Sequence, residues 1–151
     1  MTLVGSKVRR IYVASSWRNE RQPTVVRDLR AAGYDVYDFR HPAPNQPGFS
    51  WAQVEAEWRH WTPAQYRQAL EHPAAARGFA LDMSALRNSD ATVLVLPCGR
   101  SAHLELGFAV ATGQRTLVLC DQTLDEPELM YLMTSRICLT IAEVLAALKA
   151  D

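Results

Sequence analysis

The chain predicts a three-layer α/β fold, with a mostly parallel five-stranded sheet between helices, in a single domain over residues 1–151. Three observations carry this expectation. Short runs rich in β-branched and aromatic residues alternate with segments whose apolar residues recur at helical spacing. One run, Ala91 to Leu96, is almost free of polar side chains, as suits a central strand covered on both faces. Glycines stand at Gly33 and Gly113, just past two of the helical segments, where a helix stop favours them.

The elements follow in order. Val8 to Ala14 is the first expected strand. Asn19 to Ala32 carries Val25, Val26 and Leu29 on one helical face, with Pro23 suited to the first turn and Gly33 to the stop. Tyr34 to Phe39 is the second strand, Ala91 to Leu96 the third, and Arg115 to Cys120 the fourth. A helix is expected from Ser101 to Thr112, capped by Ser101. Pro127 to Met133 has helical character, Arg136 to Leu139 is a short last strand, and Ile141 to Lys149 is the closing helix. Such an order belongs to flavodoxin- or Rossmann-like sheets with right-handed crossovers. One stretch breaks the alternation. Residues 41–72 contain Pro42, Pro44, Pro47 and Pro63 together with Trp51, Trp58 and Trp61. It is expected to be a helical insertion after the second strand, with a helix over Trp51 to Trp61 and a second one capped by Thr62 with Pro63 at its first position.

Sixteen basic and sixteen acidic residues cancel, so no broad positive field for a nucleic-acid polymer exists. The three cysteines, Cys98, Cys120 and Cys138, form no paired motif. Neither a signal peptide nor a membrane span is evident, and a cytoplasmic compartment is expected. The histidines His41, His60 and His72 show no ligand spacing with cysteine, so no metal and no cofactor is expected.

Parallel sheets of this kind bind ligands beyond the carboxyl ends of their strands. Three such ends carry candidates. After the first strand come Ser15, Ser16, Trp17 and Arg18, hydroxyl donors followed by a cation. After the second come Phe39 and Arg40. After the third come Gly99, Arg100 and Ser101, where a turn, free helix N–H groups and a guanidinium suit an anion. His103 is a candidate donor one turn further on, and Glu105 lies between Leu104 and Leu106. Acids favour helix starts for electrostatic reasons alone, worth under about 1 kcal/mol. Gly107, in mid-helix, points to a close approach there by a partner or another backbone. Asp90 suits a turn before the third strand, whereas Asp82, after Phe79-Ala80-Leu81, is a candidate proton donor or sugar ligand. Cys98 with His103 is a rival pairing of thiol and base.

Three blocks resemble the nucleoside 2-deoxyribosyltransferase superfamily, which includes the (deoxy)nucleoside 5′-monophosphate N-glycosidases. They are Ile11-Tyr12-Val13 to Trp17 with Glu20-Arg21-Gln22, the stretch Asp82 to Asp90 before a hydrophobic strand, and Leu104-Glu105-Leu106-Gly107-Phe108-Ala109. The resemblance implies catalytic roles for Glu105 as nucleophile, Asp82 as helper of the leaving base and Tyr12 as the residue touching the glutamate. It implies cleavage of an N-glycosidic bond through a glycosyl-enzyme ester, closed by water or by a second base. It also implies a homodimer or higher homo-oligomer.

The stretch Gly99 to His103 has a cation and no acid, which resembles the 5′-monophosphate hydrolases more than the transferases. Ser15, Ser16, Arg18, Arg100 and Ser101 are therefore the expected phosphate ligands. A deoxyribosyltransferase, an NAD glycohydrolase and a non-catalytic nucleotide-binding module stay open as alternatives. The Trp-rich insertion departs from the family pattern and leaves the base unassigned.

Overall fold

A computed structural model describes residues 7–150. Among the described residues five strands and five α-helices follow one another as β1 (Arg10–Ala14), α1 (Gln22–Ala31), β2 (Asp35–Asp38), α2 (Pro63–Ala69), α3 (Pro73–Arg87), β3 (Ala91–Val95), α4 (Arg100–Ala111), β4 (Arg115–Leu119), β5 (Arg136–Cys138) and α5 (Ile141–Lys149). They divide into two compact units, one of residues 7–37 and 86–150, the other of residues 38–85.

In the first unit the strands form one sheet in the order β2-β1-β3-β4-β5. β1 pairs β3 in parallel, with Tyr12 opposite Thr92 and Ala14 opposite Leu94. β3 pairs β4 and β4 pairs β5, again in parallel. This is the doubly wound order whose direction reverses between β1 and β3, and sheets of this order commonly bind ligands beyond the carboxyl ends of the strands at that point.

Alternation along the strands sorts the two faces. Ile11, Val13, Ala91, Val93, Val95, Leu117 and Leu119 pack with Val25, Val26 and Leu29 of α1 and Val144, Ala147 and Leu148 of α5. Tyr12, Thr92, Leu94 and Val118 point the other way, towards α4, which turns Ala102, Leu106 and Ala109 inward. The hydroxyl of Thr92, buried on that side, is bonded. Thr92 Oγ1 donates to Gln114 Oε1 at 2.8 Å, and Gln114 Nε2 donates to the Leu86 carbonyl at 2.6 Å. Asp90 fastens the start of β1, accepting from the N–H groups of Arg9 and Arg10 at 2.8 and 2.9 Å.

Three expected starts move. α1 begins at Gln22 rather than Asn19, because the Asn19 side chain accepts from Arg21 N–H at 2.9 Å and holds the preceding residues in a turn. α4 begins at Arg100, with Gly99 rather than Ser101 as its cap. The stretch expected to be helical from Pro127 forms a short 3-10 turn, Leu129–Met133, capped by Glu128, whose carboxylate accepts from Met130 N–H at 2.7 Å.

The second unit is aromatic. Trp51 meets Phe49, Trp61 and Tyr66 edge to face, at centroid separations of 4.8, 5.6 and 6.1 Å. The helix expected over Trp51 to Trp61 is replaced by two 3-10 turns, Trp51–Gln53 and Trp58–His60. A continuous α-helix would separate residues ten apart by roughly 15 Å along its axis, which is incompatible with the ring contact. The α2 cap is as expected: Thr62 Oγ1 accepts from Gln65 N–H at 3.2 Å, the Gln65 side chain accepts from Thr62 N–H at 2.8 Å, and Pro63 opens the helix. α3 is one helix of 15 residues, and Asp82 sits within it. Gly78 in α3 is required sterically, since an added Cβ would stand 2.8 Å from Phe49 Cβ.

Candidate functional site

Tyr12 lies on the α4 side of β1 with no exposed surface. Glu105 stands three residues after Ala102 and four before Ala109, so it shares the stripe of α4 that faces the sheet. The two side chains meet: the Tyr12 hydroxyl donates to Glu105 Oε1 at 3.0 Å. The Tyr12 ring is held from behind by Tyr37 of β2, stacked at 5.3 Å with an interplanar angle of 19°. A buried phenol needs a hydrogen-bond partner, but a neutral acceptor would serve without the cost of a half-buried charge. A carboxylate in that place, one turn from a helix N-terminus at the switch point, is an arrangement able to stabilise or attack an electron-poor carbon.

The loop after β1 is stitched to the end of β3. Ser15 Oγ donates to the Val95 carbonyl at 2.9 Å. Asn19 Nδ2 donates to the carbonyls of Val95 and Pro97 at 3.2 and 3.1 Å. Ser15 thus uses its proton on the backbone, and Ser16 Oγ accepts from Arg18 N–H at 3.2 Å. Trp17 and Arg18 are exposed, as are Gly99, Arg100 and Ser101 at the start of α4. Gly99 has φ −100° and ψ −157°, an extended conformation open to any residue, and an added Cβ there meets nothing within 4 Å. The tight turn expected of it is therefore not the reason for glycine. An added Cβ at Gly107 also meets nothing within 4 Å, so no other backbone among the described residues explains that glycine.

His103 is committed locally. Its Nδ1 lies 2.8 Å from the Gly99 carbonyl oxygen and its Nε2 lies 2.8 Å from the Tyr131 hydroxyl. The Cys98 Sγ is 3.8 Å from Nδ1, but burial, and then the charge of Glu105, push its thiol up to about 12. A thiol of that kind stays protonated, and the imidazole nitrogen nearest to it is already turned to a carbonyl, so the geometry opposes the thiol-and-base pairing. A cavity of about 460 Å³ adjoins these residues, lined by Leu96, Pro97, Cys98, His103, Tyr131 and the connection Gln122 to Glu128. That volume is in the range of small-molecule sites. Asp125, Glu126 and Glu128 bring three carboxylates to the lining, with no lysine or arginine among the lining residues.

Phe39, Arg40 and Asp82 belong to the second unit. Asp38 Oδ1 accepts from Arg40 N–H at 3.0 Å, and its Oδ2 lies 3.1 Å from His41 Nδ1. Asp82 borders a small cavity of about 40 Å³ with Phe49, Gln53, Arg77 and Gly78. Among the described residues no cluster of three metal-binding side chains occurs, and no helix is long and apolar enough to cross a membrane.

Sequence reasoning missed Asn19, Tyr37 and Tyr131. Asn19 has a detectable signal, a short polar amide between a strand and a proline-started helix, where such residues fold back on the backbone. Tyr131 is the one polar-tipped side chain in the run Leu129 to Met133, yet nothing local indicates its partner 28 positions away.

No protein-family profile and no curated protein sequence matches the chain. Solved structures do. A 2-deoxyribosyltransferase from the psychrotolerant bacterium Bacillus psychrosaccharolyticus matches with a TM-score of 0.63 and 18% identity, over 94% of this chain and 97% of that one. A CMP N-glycosidase from Clostridium botulinum matches with a TM-score of 0.52 and 15% identity, over 94% of this chain and 100% of that one. At such identities the likeness establishes a shared fold, and it is the fold class the sequence predicts.

Proposed function

We propose that the chain is an enzyme that cleaves the N-glycosidic bond of a nucleoside 5′-monophosphate, with Glu105 as nucleophile. The observation that carries this reading is the bond from the buried Tyr12 hydroxyl to Glu105 Oε1 at 3.0 Å, beside the β1/β3 switch point. Two solved structures of the same fold, a deoxyribosyltransferase and a CMP N-glycosidase, support it.

In the proposed reaction a Glu105 oxygen attacks the anomeric carbon while the bond from that carbon to the base nitrogen breaks. The bonding pair leaves with the base, which takes a proton from Asp82, directly or through water. Tyr12 holds the carboxylate aimed. Water then gives its proton to the Asp82 carboxylate, directly or through a second water, and displaces Glu105, releasing the sugar phosphate; a second base in place of water gives exchange. The 5′-phosphate is assigned to the start of α4, where Arg100 and Ser101 are exposed, with Ser16 and Arg18 of the β1 loop; Ser15, whose hydroxyl proton is committed to the Val95 carbonyl, supports that loop instead of donating to the phosphate. Trp17, Phe39, Arg40 and Gly99 are assigned to the substrate's surroundings.

A second reading, a free nucleoside, is favoured by the three carboxylates that line the neighbouring cavity, since they oppose a phosphate there. Cleavage of NAD at its nicotinamide and ligand binding without turnover are the remaining alternatives. The partner is in each case a small molecule. A homo-oligomer is supported by the exposure of Leu129, Leu132, Met133, Ile137 and Leu139 around the edge strand β5. Incubation with a panel of nucleosides, 5′-monophosphates and NAD, followed by chromatography of the free base, tests the reading. Base release from at least one 5′-monophosphate is expected; release from free nucleosides alone selects the second reading, and release from none leaves only binding.

A further inference from the structure

His103 lies two positions before Glu105 on α4, and both of its ring nitrogens are engaged. The Gly99 carbonyl can only accept, so Nδ1 carries the ring proton. In the neutral ring Nε2 is then an acceptor, and the Tyr131 hydroxyl donates to it. The two rings are close to parallel, 14° apart in plane and 5.7 Å between centroids. Tyr131 is only 9% exposed, and burial, followed by the nearby Cys98, Glu128 and Cys120, pushes its hydroxyl up to about 12. The phenol therefore keeps the proton it donates.

Tyr131 also ends the wall of the 460 Å³ cavity that begins at Gln122. Along that wall the other hydrogen bonds among the described residues are local. Cys120 Sγ approaches the Gln122 carbonyl at 3.9 Å, Met130 N–H reaches Glu128, and Thr134 Oγ1 donates to the Tyr131 carbonyl at 2.7 Å. The hydrogen bond that ties this wall to α4 is the one from Tyr131 to His103.

We propose that Tyr131 and His103 are a positioning pair, which sets the Gln122–Tyr131 wall of the cavity against the helix that carries Glu105. The pair acts neither as a base nor as an anion ligand. Its consequence for turnover rests on the Glu105 reading, while its structural half stands on the geometry of the two rings. The connection is anchored at its start by the ion pair of Arg21 with Asp121 and by Cys120 N–H on the Cys138 carbonyl, and at its far end the Tyr131–His103 bond ties it to α4, so losing that bond loosens the cavity wall and weakens binding more than it slows chemistry.

The test uses Tyr131→Phe, which keeps the ring and removes the hydroxyl, with His103→Gln and His103→Leu. In the wild type, nitrogen-15 NMR taken at a pH where His103 is unprotonated is expected to show the Nδ1–H tautomer. In Tyr131→Phe, amide exchange over residues 122–131 is expected to speed up about tenfold, with the amides of β1 and β3 unchanged. With a substrate that is turned over, KM is expected to rise about 2- to 13-fold and kcat to stay within about twofold. His103→Gln, which retains an acceptor, is expected to recover part of the loss seen in His103→Leu. An Nε2–H tautomer in the wild type, or unchanged exchange of the wall in Tyr131→Phe, would overturn the pair. A fall in kcat at constant KM would overturn the positioning role and place Tyr131 in the chemistry. If the wild type turns over no substrate, the Glu105 reading fails, while the tautomer and the exchange rates still decide the pair.

Discussion

The hydroxyl of Tyr12, a residue with no exposed surface, donates to Glu105 Oε1 at 3.0 Å, joining the second residue face of β1 to the sheet-facing stripe of α4. The contact spans 93 positions of sequence and brings a carboxylate to the point where the strand order reverses. A hydrogen bond to a charged acceptor contributes about 1.5–3 kcal/mol. If that bond orients the nucleophile, Tyr12→Phe lowers kcat by roughly 10- to 100-fold, with a far smaller change in KM. Steady-state kinetics on the best substrate of the panel checks this; a Tyr12→Phe enzyme with full kcat removes Tyr12 from the chemistry.

The thiol of Cys98 and the phenol of Tyr131 are both pushed up to about 12, from ordinary values of 9.0 and 10.0, chiefly by burial. Between the ordinary and the raised value the folded chain holds protons that the unfolded chain has lost. Stability is therefore expected to be level up to about pH 9 and to fall as pH rises from there towards 12. Denaturant unfolding across that range reads the slope, and Cys98→Ala should remove part of it. Alkylation of Cys98 by iodoacetamide at pH 7 to 8 should also be much slower than that of an exposed cysteine, because the thiolate is the reactive form.

Gly78 and Gly107 both stand inside helices, and opposite outcomes are expected on substitution. At Gly78 an added methyl group meets Phe49 Cβ at 2.8 Å, so Gly78→Ala is expected to destabilise the chain by about 1–3 kcal/mol. Thermal or denaturant melting checks it; an unchanged midpoint would mean that Phe49 moves aside freely.

At Gly107 the methyl group meets nothing within 4 Å, so Gly107→Ala is expected to stabilise α4 by up to about 1 kcal/mol. A stabilised variant with reduced turnover would show that the open space beside Gly107 is used by the substrate or by another subunit. A stabilised variant with full turnover would leave that glycine without a role in the reaction.

Much of this fold is legible in the sequence because its signals are local. β3 is a run of apolar residues with one threonine, and α5 carries its apolar stripe between the Thr140 cap and Lys149, so both lie where periodicity and capping put them. The Thr62-Pro63 start of α2 is equally local. The Trp51 to Trp61 segment is not legible, because its conformation is set by ring contacts with Phe49 and Tyr66 rather than by its own helical preference. The same holds for the candidate site. Tyr12 and Glu105 are suggested by short motifs, but their hydrogen bond depends on the register of β1 against β3 and on which stripe of α4 faces the sheet. The local signal for Ser101 as a cap is outcompeted by a helix that already starts at Arg100, with Gly99 as its cap. The commitment of His103 to Tyr131 depends on the connection after β4, which no local pattern specifies.

The most direct test of the central claim is mass spectrometry of the wild-type protein, acid-quenched during turnover of the best substrate and digested with trypsin. A glycosyl-enzyme ester is predicted on the peptide from Ser101 to Arg115, at Glu105, and absent from Glu105→Ala, whose turnover is predicted to fall on the order of 10³-fold or more. Turnover that proceeds unchanged in Glu105→Ala, or an ester on a different carboxylate, would contradict the account.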